Sequence, residues 1–191
     1  MKKSVLSITV ASLLMAGNAM ADEASSAMAH VAITVSPNIA AGVLGATIDQ
    51  SVQMGPFSAE IMFRVDANEE AVSLGVASSH LYKGDDPTLG EVAPLAVDQS
   101  GGVTIQPTHA NPFSNGSNHA SYSDPVVIST PKGDMDGFQS NSIAFESAQN
   151  GHFSQDVTVT TGWIQDDPEK PQGEYSGYVV LYTALLGATG G

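Results

Sequence analysis

The 191-residue sequence has no cysteine, a single tryptophan, and six lysines and arginines against twenty aspartates and glutamates. The missing thiols rule out disulfides, thiolate chemistry, Cys-bound zinc and iron–sulfur centres. Stability must therefore come from packing, or from pairing with another chain. The net charge of −14 repels phosphate backbones and anionic membranes, which sets nucleic acid aside as a partner. Past the first twenty or so residues no apolar run has the length of a membrane-spanning helix.

The start of the chain has a clear layout. Met1-Lys2-Lys3, an apolar run over residues 5–16 and Ala19-Met20-Ala21 form a charged region, a hydrophobic region and a small-residue cleavage site. This is the pattern of a secretory signal peptide, residues 1–21, with cleavage after Ala21. Its hydrophobic region is too short for a stable span, so the mature chain is expected to be exported, without a transmembrane segment. Losing two lysines takes the net charge from −14 to −16. The remaining length suits one domain.

Residues 22–37 form an N-terminal extension. Within it Ala27, Ala29, Val31, Ile33 and Val35 fall on alternate positions, the period of one strand face. Two readings stay open here. The strand belongs to its own domain, or it leaves and completes a neighbour's sheet by β-augmentation. Residues 38–191 read as a sandwich domain. Short strands are expected at 39–48, 58–66 and 71–77, with Val72, Leu74 and Val76 on one face and a hairpin loop over 66–70. Residues 140–149 and 153–164 read as a second hairpin, with Phe145 opposite Val157 and Ile143 opposite Val159 to match the apolar faces. Residues 84–137 hold six of the ten prolines and many small polar residues, so short edge strands and long surface loops are expected there.

Residues 173–186 are the most strand-like stretch, with Tyr175, Val179, Leu181 and Leu185 on one face. The other face carries Tyr178, Val180, Tyr182 and Leu186, so burial on both faces is expected. A helix is the competing reading of so short an apolar run; Gly177, the β-branched pair and the tyrosines favour the strand. Seven to nine short strands without a convincing helix define an all-β fold, an immunoglobulin-like antiparallel β-sandwich.

Motifs that carry chemistry are scarce. Ser176 lies in Gly-Glu-Tyr-Ser-Gly, which lacks the Gly-x-Ser-x-Gly spacing of a nucleophile elbow. His30, His80, His109, His119 and His152 form no close ligand pair, and scattered polar surface is their default reading. Asp134-Met-Asp136-Gly137 starts like a calcium loop, but its fifth and twelfth positions are Phe138 and Phe145, so a polar turn over 133–137 is the better account. No carboxylate pair is flagged by a surrounding aromatic cleft, and Trp163 in a strand pattern reads as core. Asn115-Gly-Ser117 fits a glycosylation sequon, a weak match beside a bacterial-looking signal. No catalytic residue, metal or cofactor is expected.

The two ends together resemble a family. Pro171-Gln-Gly173-Glu-Tyr175-Ser176-Gly177 followed by alternating apolar residues is similar to the last strand of fimbrial subunits. Together with the alternating strand after the signal, it resembles major pilins of the alternative chaperone–usher class, of the common-pilus type. The resemblance implies an incomplete sandwich whose missing strand is supplied by the next subunit. Ala27, Ala29, Val31, Ile33 and Val35 would be donor-strand residues, and Tyr175, Val179 and Leu181 would belong to the acceptor or core of the terminal strand. It also implies a homopolymer, a periplasmic chaperone, an outer-membrane usher, and passage through the periplasm to the cell surface. The alternative is a monomeric exported binding module for a sugar, metal or protein. N-terminal sequencing of exported protein should begin at Asp22; a chain that still carries residues 1–21 would overturn the signal assignment.

Overall fold

The computed structural model describes residues 24–35, 54–113 and 116–186. The expected signal peptide, the strand at 39–48 and the asparagine of the sequon lie outside them. Among the described residues thirteen strands are present: β1 (Ala24–Val35), β2 (Gly55–Ala67), β3 (Ala71–Ser79), β4 (Tyr82–Lys83), β5 (Ala96–Val97), β6 (Val103–Pro107) and β7 (Ala110–Pro112) are followed by β8 (His119–Ala120), β9 (Tyr122–Thr130), β10 (Gly133–Ser140), β11 (Ile143–Ser147), β12 (Phe153–Gln165) and β13 (Gly173–Leu185). No α-helix occurs among the described residues.

The strands form two antiparallel sheets packed as a β-sandwich. Sheet A runs β1-β13-β3-β10-β9, with β11 also on β3, β7 on β11 and β4 on β13. Sheet B runs β2-β12-β6-β8, with β5 also on β12. The core fills the space between them, because alternate residues of a strand face opposite sides. From sheet A come Val72, Leu74, Val76, Phe145, Tyr175, Val179 and Leu181; from sheet B come Ile61, Phe63, Val65, Ile105, Phe153, Val157, Val159 and Trp163. Trp163 is fully buried, and its indole N–H donates to the carbonyl of Ser79 on the opposite sheet at 2.8 Å.

Both expected hairpins are instead crossings between the sheets. β2 belongs to sheet B and β3 to sheet A, so the residues at 66–70 turn a corner of the sandwich. β11 and β12 are divided in the same way. Phe145 pairs with Val72 and Pro112, whereas Val157 pairs with Phe63 and Pro107. Ile143 lies opposite Leu74, and Val159 opposite Ile61 and Ile105. The two corners nest. The Ser147 amide donates to the Glu70 carbonyl at 2.8 Å, and the Gly151 amide donates to the Glu70 carboxylate. A hairpin and a corner both keep alternate residues pointed at one core, so the apolar pattern is the same for either.

The proline-rich stretch contributes more than surface loops. β6 lies inside sheet B between β12 and β8, and Leu95, Val97, Val103, Ile105 and Met135 are buried. Pro125 sits in β9, a sheet edge, where a residue without an N–H costs no ladder bond. Residues 133–137 are strand rather than turn; the chain reverses at Pro131-Lys132, and β10 returns along β9.

β3 meets two successive strands on one edge, β11 near its start and β10 near its end. The ladder breaks between them, and a side chain fills the gap. Ser140 Oγ accepts the Val76 amide at 3.1 Å and donates to the Asn141 carbonyl at 2.9 Å. Ser140→Ala would leave the buried Val76 N–H unpaired and should lower unfolding free energy by about 1–2 kcal/mol. Urea denaturation with an unchanged m-value checks this; an unchanged midpoint would show that the gap is filled in another way.

Candidate strand-docking site

The sequence-predicted site residues meet at one edge of sheet A. β1 pairs antiparallel with β13 along its whole length, from Ala24 opposite Ala184 to Val35 opposite Gly173. Ala27 lies opposite Leu181, Ala29 opposite Val179, Val31 opposite Gly177 and Ile33 opposite Tyr175. Ala29 and Val31 enter the main core, while Ala27 is exposed. The side chains of Ile33 and Val35 lie outside the described residues.

β13 supplies the receiving wall. Tyr175, Val179 and Leu181 are fully buried, and Val180 on the opposite face joins Ala77 and Ile128 in a second, smaller cluster. That cluster accounts for the apolarity of both faces. Tyr175 donates its hydroxyl to the Pro171 carbonyl at 2.9 Å, a tyrosine-corner arrangement that fixes how the chain enters the strand. Burial, and then the charge of Asp167, raise the Tyr175 phenol above its ordinary pKa. Val31 faces the one position of this inward row without a side chain. A Cβ on Gly177 would come within 2.4 Å of Ser79 Oγ and 2.6 Å of the His80 carbonyl, so β3 and its continuation already occupy that space.

Three neighbours of the site carry no local sequence signal. Ser79 Oγ accepts the Tyr178 amide at 2.8 Å and donates to the His80 carbonyl at 2.8 Å, bridging the break between β3 and β4. Asp85 follows β4 in a turn with a left-handed backbone (φ 60°). It receives His30 Nε2 at 3.3 Å and the Tyr178 hydroxyl at 3.3 Å. Lys132 lies 3.7 Å from the same carboxylate and donates to the Gly84 carbonyl at 3.1 Å. Burial, followed by the charge and hydrogen bond of Asp85, raises the Tyr178 phenol. Apart from the bond between neighbours Ser79 and His80, these contacts link residues about 50 to 100 positions apart, which no short pattern encodes.

The remaining candidates are dispersed. Ser176 is buried in the ladder between Ala32 and Tyr82. Asp134 and Asp136 are both exposed, and Asp134 accepts the Ser129 hydroxyl at 2.8 Å. His119 lies beside Thr104, and His152 Nδ1 donates to the Asn150 carbonyl at 3.0 Å. The His109 amide, not its ring, bonds the buried Gln155 side chain at 2.6 Å. Among the described residues no three histidines, aspartates or glutamates converge as a metal site would require, and no helix there is long and apolar enough to cross a membrane. No family model, curated protein or solved structure matches the chain.

His80 is held in a partly buried site between β5 and β10. Its Nδ1 accepts the Val97 amide at 3.0 Å, and its ring meets Phe138 edge-on at 5.8 Å. Burial lowers its pKa, against a smaller upward pull from Asp136. The unfolded chain therefore takes up this proton more readily than the folded one. Stability is full above about pH 6.5, the unfolded value, and is lost as pH falls through the folded one. Thermal melts at pH 7.5 and 5.0 should show a larger acid loss for the parent than for His80→Gln, which retains an acceptor for Val97. Equal losses would remove His80 as the cause.

Proposed function

We propose that this chain is a structural subunit of an exported surface filament, polymerising by donor-strand complementation. The observation that carries the reading is the placement of β1. Among the described residues it lies at the edge of sheet A and pairs only with β13, and residues 36–53 separate it in sequence from β2. Those 18 residues reach about 60 Å when extended. The same segment of a neighbouring copy is then able to take the place of β1, with the same ladder bonds and the same two core residues. This is the exchange of an identical element between protomers. Repeated head to tail, it generates an open filament.

Burial of a strand-length apolar groove drives the association, at about 25 cal/mol per Å² of apolar surface. A long ladder also makes the joined state slow to open. The strong negative charge keeps free subunits soluble. In this reading copies of the chain are its partners, and a periplasmic chaperone and an outer-membrane usher protect the groove until assembly. The cell surface is where the filament accumulates. The second reading, a self-sufficient exported binding module, draws support from the docking of β1 in its own chain.

Gel electrophoresis of the mature protein with and without boiling, beside negative-stain microscopy, separates the two. The filament reading expects a ladder that collapses on boiling, and filaments on the grid. Val31→Asp places an unpaired charge in the groove at a cost of about 3 kcal/mol or more. It should reduce polymer roughly a hundredfold. A clean monomer with a sharp thermal transition, in parent and variant alike, would favour the self-sufficient module.

A further inference from the structure

Alternation fixes the faces of β1 but not its register. A one-residue slip turns the apolar face outward, whereas a two-residue slip leaves every face as it was. In one direction such a slip sets Val31 opposite Val179 and Ile33 opposite Gly177; in the other, Ala27 faces Val179 and Ala29 faces Gly177. Apolar residues still point inward in all three registers. The first slip even carries bulkier residues into the same row. Something outside the apolar pattern must choose among them.

We propose that His30, received by Asp85 on the outer face of sheet A, is the residue that sets the register at which β1 docks on β13. It follows that His30 sets the spacing of successive subunits in a filament, a consequence that rests on the donor-strand reading. The receiving group is assembled without β1. The Gly84 amide donates to the Glu174 carbonyl at 2.9 Å, and the Asp85 amide to the Tyr82 carbonyl at 3.2 Å. Lys132 and the Tyr178 hydroxyl both lie against one oxygen of the carboxylate, Oδ2, which leaves Oδ1 for β1. The Pro87 ring lies against Gly133 of β10, which seats the whole turn on the sheet.

His30 then arrives opposite Tyr178, with ring centroids 5.0 Å apart, and its Nε2 donates to the free oxygen of Asp85. A two-residue slip presents Met28 or Ala32 there instead. Neither offers a donor, so the carboxylate loses a partner in a site only 16% exposed. Each such slip moves the strand by about 7 Å along its axis. In a polymer that displacement would recur at every joint.

The absence of cysteine makes the register directly readable. Ser26→Cys with Tyr182→Cys reports the observed pairing. Met28→Cys with Tyr182→Cys reports one two-residue slip, and Ser26→Cys with Val180→Cys reports the other. All three pairs share the same ladder geometry, since it alternates residue by residue. Under mild oxidation the first pair should cross-link and the other two should barely do so. Asp85→Gly, which suits the left-handed backbone, should raise the slipped products about fivefold. His30→Val, which leaves the turn intact, should do the same. Unchanged product ratios in both variants would overturn the proposal. Band size gives a separate answer: a ladder reports docking between copies, and monomer-sized product reports docking within one chain. Failure of the donor-strand reading is thus distinguishable from failure of the register assignment.

Discussion

Everything in this molecule depends on closing two apolar sheet faces upon each other without a covalent link. β3 and β12 face one another at the centre, and the fully buried Trp163 carries the contact across. Its single polar atom bonds the Ser79 carbonyl, so the largest side chain enters the core without leaving a buried donor unpaired. At the same end Tyr122, Ser78 and Thr161 form a closed set of hydroxyl bonds between the sheets. Gln155 does the equivalent at the other, receiving the His109 amide and donating to Ser147 at 3.4 Å. These buried polar side chains are tolerated because each of them has a partner.

The sheets are not made of uninterrupted strands, and serine handles the interruptions. Ser140 serves the gap between β10 and β11, and Ser79 the gap between β3 and β4. In both places a side-chain oxygen accepts an amide that a continuous strand would have paired. The second gap lies beside the docking site. Ser79 holds Tyr178 in the ladder while Asp85 holds its hydroxyl, so the outer face of β13 is fixed from two directions. A strand arriving at β13 thus meets a wall with one position, Gly177, that carries no side chain because β3 and its continuation fill that space, and one polar receptor at Asp85. Apolar burial supplies the attraction, and the polar contact supplies the discrimination.

Much of the site was legible at the level of faces. The period-two pattern places Ala29 and Val31 in the core, and it identifies Tyr175, Val179 and Leu181 as the inward row of the terminal strand. It also places Val72, Leu74 and Val76 correctly. The same pattern failed at connections. Residues 66–70 and 150–152 read as hairpin loops, yet they lie where the chain passes from one sheet to the other. Proline content misled in the middle of the chain, where β6 is interior despite ending at Pro107. Asp85, Lys132 and Ser79 were invisible because their roles come from partners distant in sequence.

The sequence by itself determined which residues of each strand point inward, since that depends only on alternation along a local pleat. It determined the all-β character as well, through β-branched and aromatic residues and frequent turn formers. Only the tertiary structure decided which strand pairs with which, on which sheet, and at what offset. Those choices are made by contacts between distant segments, and an alternating face is equally satisfied by many partners. The pairing of β1 with β13 shows the division. Its faces are written in residues 24–35, but its register is held by an aspartate 55 positions from His30.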